Sequence, residues 1–132
     1  MAPFVITNLK DVEDSGAGRW PGIEARYARR ALESEHLGVS YVRFEPGVRS
    51  PRAHGHRHQE EVYAVIRGSG RIQLDGAETR AIGPLDVILV RPSVFRAFEA
   101  GPDGLEMIAV GSDEEGGSDG VSADYGWVDD RG

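Results

Sequence analysis

Three of the four histidines in this chain lie within five residues of one another, at His54, His56 and His58. Successive side chains of an extended strand point to opposite faces, so His54 and His56 would share a face. Two imidazoles at that spacing can bind one metal ion, and imidazole suits zinc, copper, iron and nickel. A carboxylate follows at Glu60 or Glu61, and Glu61 at the head of the next strand can turn toward the histidine pair. The pattern therefore indicates a metal site with nitrogen and oxygen donors.

The same histidines also fit a simpler interpretation, a polar surface loop that runs from Arg49 to Gln59. The flanking segments favour the metal site. One strand is predicted to end at Gly47 and the next to begin at Glu61, so the histidines lie in a connection between two strands. In a closed sheet, that connection would lie at the mouth of the barrel.

The segments on either side have the pattern of a β protein. Val39–Phe44 is rich in β-branched and aromatic residues and ends at a Pro-Gly turn, and Asp75-Gly76 is a hairpin signal. Further short strands are predicted at 4–8, 61–66, 71–74, 78–82, 86–90, 95–98 and 105–110, with Gly68-Ser69-Gly70 as a turn. Residues 24–32 fit a strand or a helix, and we favour the strand. About eight or nine short strands at this spacing predict an all-β sandwich or barrel.

Composition limits the classes of protein that this chain can be. With 39% hydrophobic and 28% charged residues, its 132 residues can form one modest core. The absence of cysteine excludes disulfides and thiol nucleophiles and fits a cytoplasmic location. No signal peptide is predicted, and no apolar run reaches the roughly 20 residues that span a membrane. A net charge of −7 without a basic stripe argues against nucleic acid as a partner.

Most of the negative charge lies at the C-terminal end. From Ser112 to Gly132 there are seven acidic residues and one arginine, a net of −6, so the rest of the chain is close to neutral. Because this segment is also rich in glycine and serine, we predict a flexible acidic tail over 112–132 that contributes little to the core. It follows an N-terminal strand and loop region, 1–38, and a barrel domain, 39–111.

The histidine segment resembles the first signature of the cupin superfamily. That signature is a glycine, His-x-His, three or four residues, a glutamate, six residues and a glycine. It matches Gly47, His54, His56, Glu61 and Gly68, with the first gap one residue longer than usual. The second signature is recognisable from Gly83-Pro84-Leu85-Asp86 through Arg91-Pro92-Ser93-Val94-Phe95-Arg96-Ala97-Phe98.

This resemblance implies a double-stranded β-helix, or jelly-roll barrel. In metal-bearing cupins, two histidines and a glutamate of the first signature and a histidine of the second bind one divalent metal. The resemblance therefore implies His54, His56 and Glu61 as three ligands. Arg96 stands at the fourth position, and Ser93 stands where a glycine is usual.

Arg96 leaves several interpretations open, because a guanidinium stays protonated and cannot ligate a metal. His58 can take the fourth position, or His54, His56 and Glu61 can hold the metal with positions open to water and substrate. Alternatively the metal is lost, Glu61 pairs with Arg96, and the pocket binds an anion through Arg96 and the histidines. Arg96 can also face outward from its strand. Tyr63 is expected in the core or the pocket wall, where with Arg96 it would contact a ligand.

Cupin barrels serve many functions, so the fold does not select one. We expect a protein that binds a small molecule and a divalent metal, such as zinc, nickel, iron or manganese, in the barrel mouth. A metal-dependent oxygenase or isomerase fits that site. The alternative is a metal-free module that binds or senses a small anion. We also expect a homodimer, in which a strand at Phe4–Thr7 adds to the partner's sheet.

Overall fold

The computed structural model describes residues 2–112 and 119–128. This part of the chain contains eight β-strands and two short helical turns. The strands are β1 (Ile23–Tyr27), β2 (Leu37–Phe44), β3 (His54–His56), β4 (Glu61–Leu74), β5 (Glu78–Ile82), β6 (Val87–Val90), β7 (Arg96–Ser112) and β8 (Gly120–Ser122). A 3-10 turn spans Leu9–Asp11, and the one-turn helix α1 spans Arg29–Leu32. None of the described helices is long and apolar enough to cross a membrane. The predicted all-β class is confirmed.

The two longest strands organise the sheet. β4 and β7 pair antiparallel along nearly their whole length, from Glu61 opposite Gly111 to Leu74 opposite Arg96. β7 also pairs with β2 and β3, and β4 also pairs with β5 and β6. Register shifts between β4 and β7 bend both strands. The sheet therefore curls on itself as a double-stranded β-helix, the predicted jelly-roll barrel.

Two predicted strand breaks lie inside these long strands. We expected Gly68-Ser69-Gly70 to form a turn, but β4 continues through it. A Cβ atom at Gly68 would collide with the backbone carbonyl of Gly104, and one at Gly70 with that of Glu99. These glycines therefore mark a close approach of β4 to β7 at the bend rather than a chain reversal. The strands predicted at 95–98 and 105–110 are likewise parts of β7.

Other boundaries also differ from expectation. The strand predicted at 4–8 is wrong: this segment is irregular, and Phe4 and Ile6 are 72% and 86% exposed. Residues 24–32 divide into the end of β1 and helix α1, so the strand assignment holds only to Tyr27. The hairpin prediction is confirmed, because Asp75 and Gly76 both have the positive φ angles, 53° and 66°, that tight hairpin turns require.

The main core lies between the two faces of the curled sheet. Alternating side chains of β2 and β4 to β7 supply it, and the buried members are Phe44, Tyr63, Val65, Ile72, Ile82, Val90, Phe98, Ala100, Leu105, Met107 and Ala109. A smaller group, which we name the rim cluster, consists of buried Ala53, Ala97 and Ala123 with partly buried Phe95, Tyr125 and Trp127 packed against them.

The segment after the long strands differs most from its predicted role. β8 pairs with β3, with His54 opposite Ser122 and His56 opposite Gly120. The side chain of Gln73 accepts from the backbone of Val128 at 2.9 Å and donates to it at 2.7 Å. The expectation that the tail contributes little to the core is therefore wrong for 119–128. The physical reason is that β3 pairs with β7 at a single position. Most of its backbone hydrogen-bonding groups therefore need another partner, which β8 supplies. Residues 113–118 and 129–132 lie outside the described part.

Candidate metal centre

Strand β3 presents two imidazoles toward the head of β4. The His54 and His56 rings have centroids 5.5 Å apart and are nearly perpendicular. The Nε2 atoms of His54 and His56 lie 3.7 Å and 3.4 Å from Oε1 of Glu61. One donor atom from each of the three residues falls within 4.8 Å of the other two. The structure thus brings together the three residues that the sequence predicted as metal ligands.

The donor spacing fits a divalent ion of the transition series. Around a tetrahedral ion with bonds of about 2.1 Å, neighbouring ligand atoms lie about 3.4 Å apart. The two distances to Glu61 are close to that value. The Nε2 atom of His56 is buried, and no described residue forms a hydrogen bond with it. A buried nitrogen without a partner is costly, and a metal ion on this side would satisfy it.

Asp119, just before β8, sets the orientation of His56. One of its carboxylate oxygens lies 2.9 Å from Nδ1 of His56, and the other accepts from the backbone N–H groups of His58 at 2.6 Å and Gln59 at 2.9 Å. A proton on Nδ1 directed at Asp119 leaves Nε2 with a free lone pair toward Glu61. Sequence reasoning missed Asp119, because it lies 63 residues from His56 and looks like any other acidic residue of the tail.

The charges within this group stabilise one another. Burial by itself would raise the pKa of Glu61, but the two histidines and the Tyr63 hydroxyl outweigh it and hold that pKa well below its usual range. Attraction to Glu61 raises the pKa of His56 against the effect of burial, and Asp119 adds to the rise. Burial opposes ionisation of Asp119, yet the His58 N–H and the His56 ring lower its pKa to about 2. Without metal, His56 therefore lies between two carboxylates that favour its protonated form.

Tyr63 lies between this group and the main core. Its ring is 3% exposed and meets the Phe98 ring edge-on at 4.9 Å. Its hydroxyl donates to Glu61 and lies 3.5 Å from Nε2 of His54. Burial first, and then the charge of Glu61, raise the pKa of Tyr63 well above its ordinary value, so the phenol keeps its proton. This agrees with the expected position in the pocket wall.

Arg96 faces the interior. It is 0% exposed and lies opposite His54 on β3 and Leu74 on β4. The interpretation as an outward-facing residue is therefore wrong. The pair with Glu61 that belonged to the metal-free interpretation is also not formed, since the described ion pairs of Glu61 are those with His54 and His56. Within residues 2–112 and 119–128, no acceptor takes a hydrogen bond from the three guanidinium nitrogens.

His58 does not join the candidate metal centre. It lies beyond the end of β3 with an exposed side chain, and its backbone is held by Asp119. The group of donors that the structure brings together contains His54, His56 and Glu61 only, among the described residues. The interpretation in which His58 replaces the missing fourth ligand is therefore wrong, because the chain has turned away from the site by that position. Glu60, the other carboxylate considered, pairs on the surface with Arg91 at 2.7 Å.

A cavity of about 470 Å³ opens beside the candidate centre. This is within the size range of small-molecule sites, about 300–1,000 Å³. His54 and Tyr63 form its inner wall, and the side chain of His54 is 42% exposed against 10% for His56. The full lining is Arg19, Trp20, Ile23, Ala25, Tyr27, Val42, Phe44, Ser50, Pro51, Arg52, His54, Tyr63, Phe98, Met107 and Ser122. The donor group is therefore reached from the cavity by way of His54.

Solved structures share this architecture. KdgF from a Halomonas species superposes with a TM-score of 0.65 at 19% identity, over 85% of this chain and 94% of that one. A cupin protein from Bacteroides fragilis gives 0.70 at 20% identity, over 87% and 88%. Oxalate decarboxylase from Bacillus subtilis gives 0.73 at 21% identity, over 89% of this chain but 32% of that longer one. At these identities the likeness concerns the fold. No curated protein matches the sequence.

The sequence itself matches a family model. The model of the cupin domain covers residues 40–111, which is more than half of the chain. That range includes β3 to β6 and most of β2 and β7, with both histidines of β3, Glu61, and both segments that resemble the cupin signatures. The chain therefore belongs to the cupin family.

Proposed function

We propose that this protein binds a divalent metal ion through His54, His56 and Glu61 and a small molecule in the adjoining cavity. The observation that carries the proposal is the convergence of three donor atoms, two of them imidazole nitrogens, at the wall of that cavity. With nitrogen donors in the majority, zinc, nickel, iron or manganese is favoured over magnesium. When bound, the ion would polarise an oxygen-bearing ligand as a Lewis acid.

The residues around the centre have separable tasks in this proposal. Asp119 holds the His56 ring with Nε2 inward, and the Tyr63 hydroxyl holds the Glu61 carboxylate. His54, the most exposed donor, borders the cavity. Three protein ligands leave coordination positions for water or a ligand. A ligand in the cavity would therefore approach from the side of His54.

Calorimetric titration of zinc, nickel and manganese into tag-free, metal-free protein tests the proposal. Wild type should bind at least one of these ions more tightly than about millimolar, and His54→Ala or His56→Ala should abolish binding. His58→Ala is the matched control: it removes a nearby imidazole that lies outside the donor group, so affinity should be unchanged. Binding that is absent in wild type, or unchanged in His56→Ala, would contradict the metal site.

Arg96 favours a second candidate function, a metal-free module that binds a small anion. It places a positive charge in the interior, and no described residue accepts a hydrogen bond from its guanidinium. An inorganic anion next to Arg96 would compensate that charge. Sulfate titrated into metal-free protein should then raise the melting temperature of wild type but not that of Arg96→Met, a variant of similar volume. Equal responses of the two proteins would contradict the anion-binding function and leave metal binding as the remaining candidate.

We also propose that the protein forms a homodimer. The exposed N-terminal segment with Phe4 and Ile6 belongs to no sheet of its own chain and is available to a partner. Light scattering at micromolar concentration should give twice the monomer mass of 14.3 kDa, and deletion of residues 1–8 should give the monomer mass. A monomer in both samples would contradict the dimer.

A further inference from the structure

The cavity has an unusual charge distribution for this chain. Acidic residues outnumber basic ones by 22 to 15 in the whole sequence. Within the described part of the chain, however, no acidic side chain lines the cavity, while Arg19 and Arg52 both do. Both permanently charged side chains in the described lining are therefore positive, in a protein of net charge −7.

The two arginines are held in place. The Arg19 guanidinium stacks on the Trp20 ring, 4.8 Å from its centroid. One nitrogen of Arg52 donates to the carbonyl of Ala123 at 2.8 Å, which directs the side chain and uses one of its three nitrogens. Such planar, pre-positioned donor groups match a carboxylate better than a flexible lysine does.

Much of the remaining lining is apolar, although Ser50, Ser122 and His54 also border the cavity. Phe44, Phe98 and Met107, which belong to the main core and are at most 5% exposed, form its floor. Ile23 and Val42 extend this wall. A hydrocarbon or aromatic body gains from burial against this wall.

One cavity carries all of these groups. Arg19, Arg52 and His54 line it together with the apolar side chains of the main core. Its volume of about 470 Å³ suits a small molecule. One ligand can therefore contact an arginine and His54 at the same time.

We propose that the ligand is a small carboxylic acid with an apolar body, whose carboxylate is bound by Arg19 and Arg52. Its body lies on Phe44, Phe98 and Met107, and its far end faces His54. This inference rests on the proposed function in taking the cavity as the ligand site, but it does not require the metal.

Three probes of one shape test the charge preference. 3-Phenylpropanoate, 3-phenylpropanamide and 3-phenylpropan-1-amine are titrated calorimetrically into metal-free and zinc-loaded protein. The acid should bind at least about tenfold more tightly than the amide, and the amine should bind weakest. Acetate, which lacks the apolar body, should bind at least about tenfold more weakly than the phenyl acid. Equal affinities of acid, amide and amine, or no binding of the acid at millimolar concentration, would overturn the inference.

Variants assign the binding to the arginines. Arg19→Gln and Arg52→Gln should each weaken the acid about tenfold and change the amide less than about twofold. Arg19→Gln guards against loss of folding, because Arg19 is exposed, whereas Arg52 also holds the C-terminal segment. The control is Arg80→Gln, an exposed arginine of β5 outside the cavity, which should change nothing. Unchanged acid affinity in both cavity variants would refute the role of the arginines.

The same samples separate this inference from the proposed metal site. Zinc affinity should survive in Arg19→Gln and fall in His56→Ala, while acid binding to metal-free protein should fall in Arg19→Gln only. Acid binding without any zinc binding would contradict the metal site and support the inference. Zinc binding without a preference for the acid would support the metal site and contradict the inference.

Discussion

The main core is filled by large aliphatic and aromatic side chains, whereas the rim cluster is centred on three alanines, Ala53, Ala97 and Ala123. Small side chains let the backbones of β3, β7 and the C-terminal segment approach closely. Gly55 continues this packing, since a Cβ atom there would lie 3.2 Å from the carbonyl of Val94. The core thus depends on side-chain volume, and the histidine-bearing rim on a close fit between short segments.

This difference has a consequence for the candidate metal centre. β4, which carries Glu61, pairs with β7 along nearly its whole length, but β3, which carries both histidines, is three residues long and pairs mainly with β8. Changes in the core should therefore alter stability with little effect on metal affinity. Changes at the rim should alter metal affinity strongly.

Truncation after Ser112 should have the largest effect. It removes β8, Asp119 and the side chains of Ala123 and Trp127. As a result β3 loses the strand that pairs with it, and the rim cluster loses two of its members. We expect the free energy of unfolding to fall by at least about 3 kcal/mol and zinc binding to disappear. Leu105→Ala, a core substitution at a site 1% exposed, should lower the free energy of unfolding by about 2–5 kcal/mol but leave the zinc affinity unchanged. Denaturant titration and calorimetry measure both, and unchanged zinc affinity after truncation would contradict the comparison.

Asp119→Ala should have the next largest effect. Without the Nδ1 partner, the His56 ring is free to rotate, so we expect zinc affinity to fall about 10- to 100-fold. Asp119→Asn, which keeps an acceptor oxygen, should lose less. Asp86→Ala is the control, because Asp86 also accepts from a backbone N–H, that of Gly83, but in a turn far from the metal centre. If Asp86→Ala weakens zinc binding as much as Asp119→Ala, the effect is a general loss of stability.

The pH dependence of stability should have opposite signs with and without metal. The pKa of His56 is raised on folding, so its contribution to metal-free protein is complete below about pH 6.5 and is lost as pH rises through the folded value. The lowered pKa values of Glu61 and Asp119 add stability that is lost only under more acidic conditions. Zinc requires neutral His56, so its stabilisation should grow over the same rise in pH.

Melting curves between about pH 5.5 and 8.5, with and without zinc, would show these trends. The melting temperature of metal-free protein should decline by a few degrees as pH rises, while the increment from zinc should increase. His56→Ala should remove both trends. A metal-free melting temperature that rises with pH and does not depend on His56 would contradict the assigned charges.

The smallest effect concerns two residues with left-handed backbone conformations, one at the rim and one in an exposed turn before β6. Ser93 at the rim has a φ of 74° and donates its N–H to the carbonyl of His56 at 2.8 Å. Leu85, in the turn before β6, has a φ of 70° and is 85% exposed. Glycine removes the steric cost of this conformation but loses more entropy on folding, so Ser93→Gly and Leu85→Gly should each stabilise by about 0.5 kcal/mol. Denaturant titration measures this gain, and a loss in Ser93→Gly alone would reveal a role for its hydroxyl.

Much of the barrel could be predicted from local patterns. Tyr63 was expected in the core or pocket wall and is buried there, and the Asp75-Gly76 hairpin forms. The errors have a common cause. Gly68 and Gly70 were taken as a turn because composition does not distinguish a chain reversal from a close approach between two long strands. That approach depends on Gly104 and Glu99, which lie 36 and 29 residues further along the chain than Gly68 and Gly70.

The two-residue period of a β-strand and the type of side chain were enough to determine the all-β class and to place His54 and His56 on one face with a carboxylate at the next strand. Those are local properties, set by backbone geometry over a few residues. Only the tertiary structure decided that His58 turns away, that Arg96 is buried without pairing with Glu61, and that Asp119 orients His56. Each of these depends on which distant segments come into contact, and the packing of the whole barrel determines those contacts.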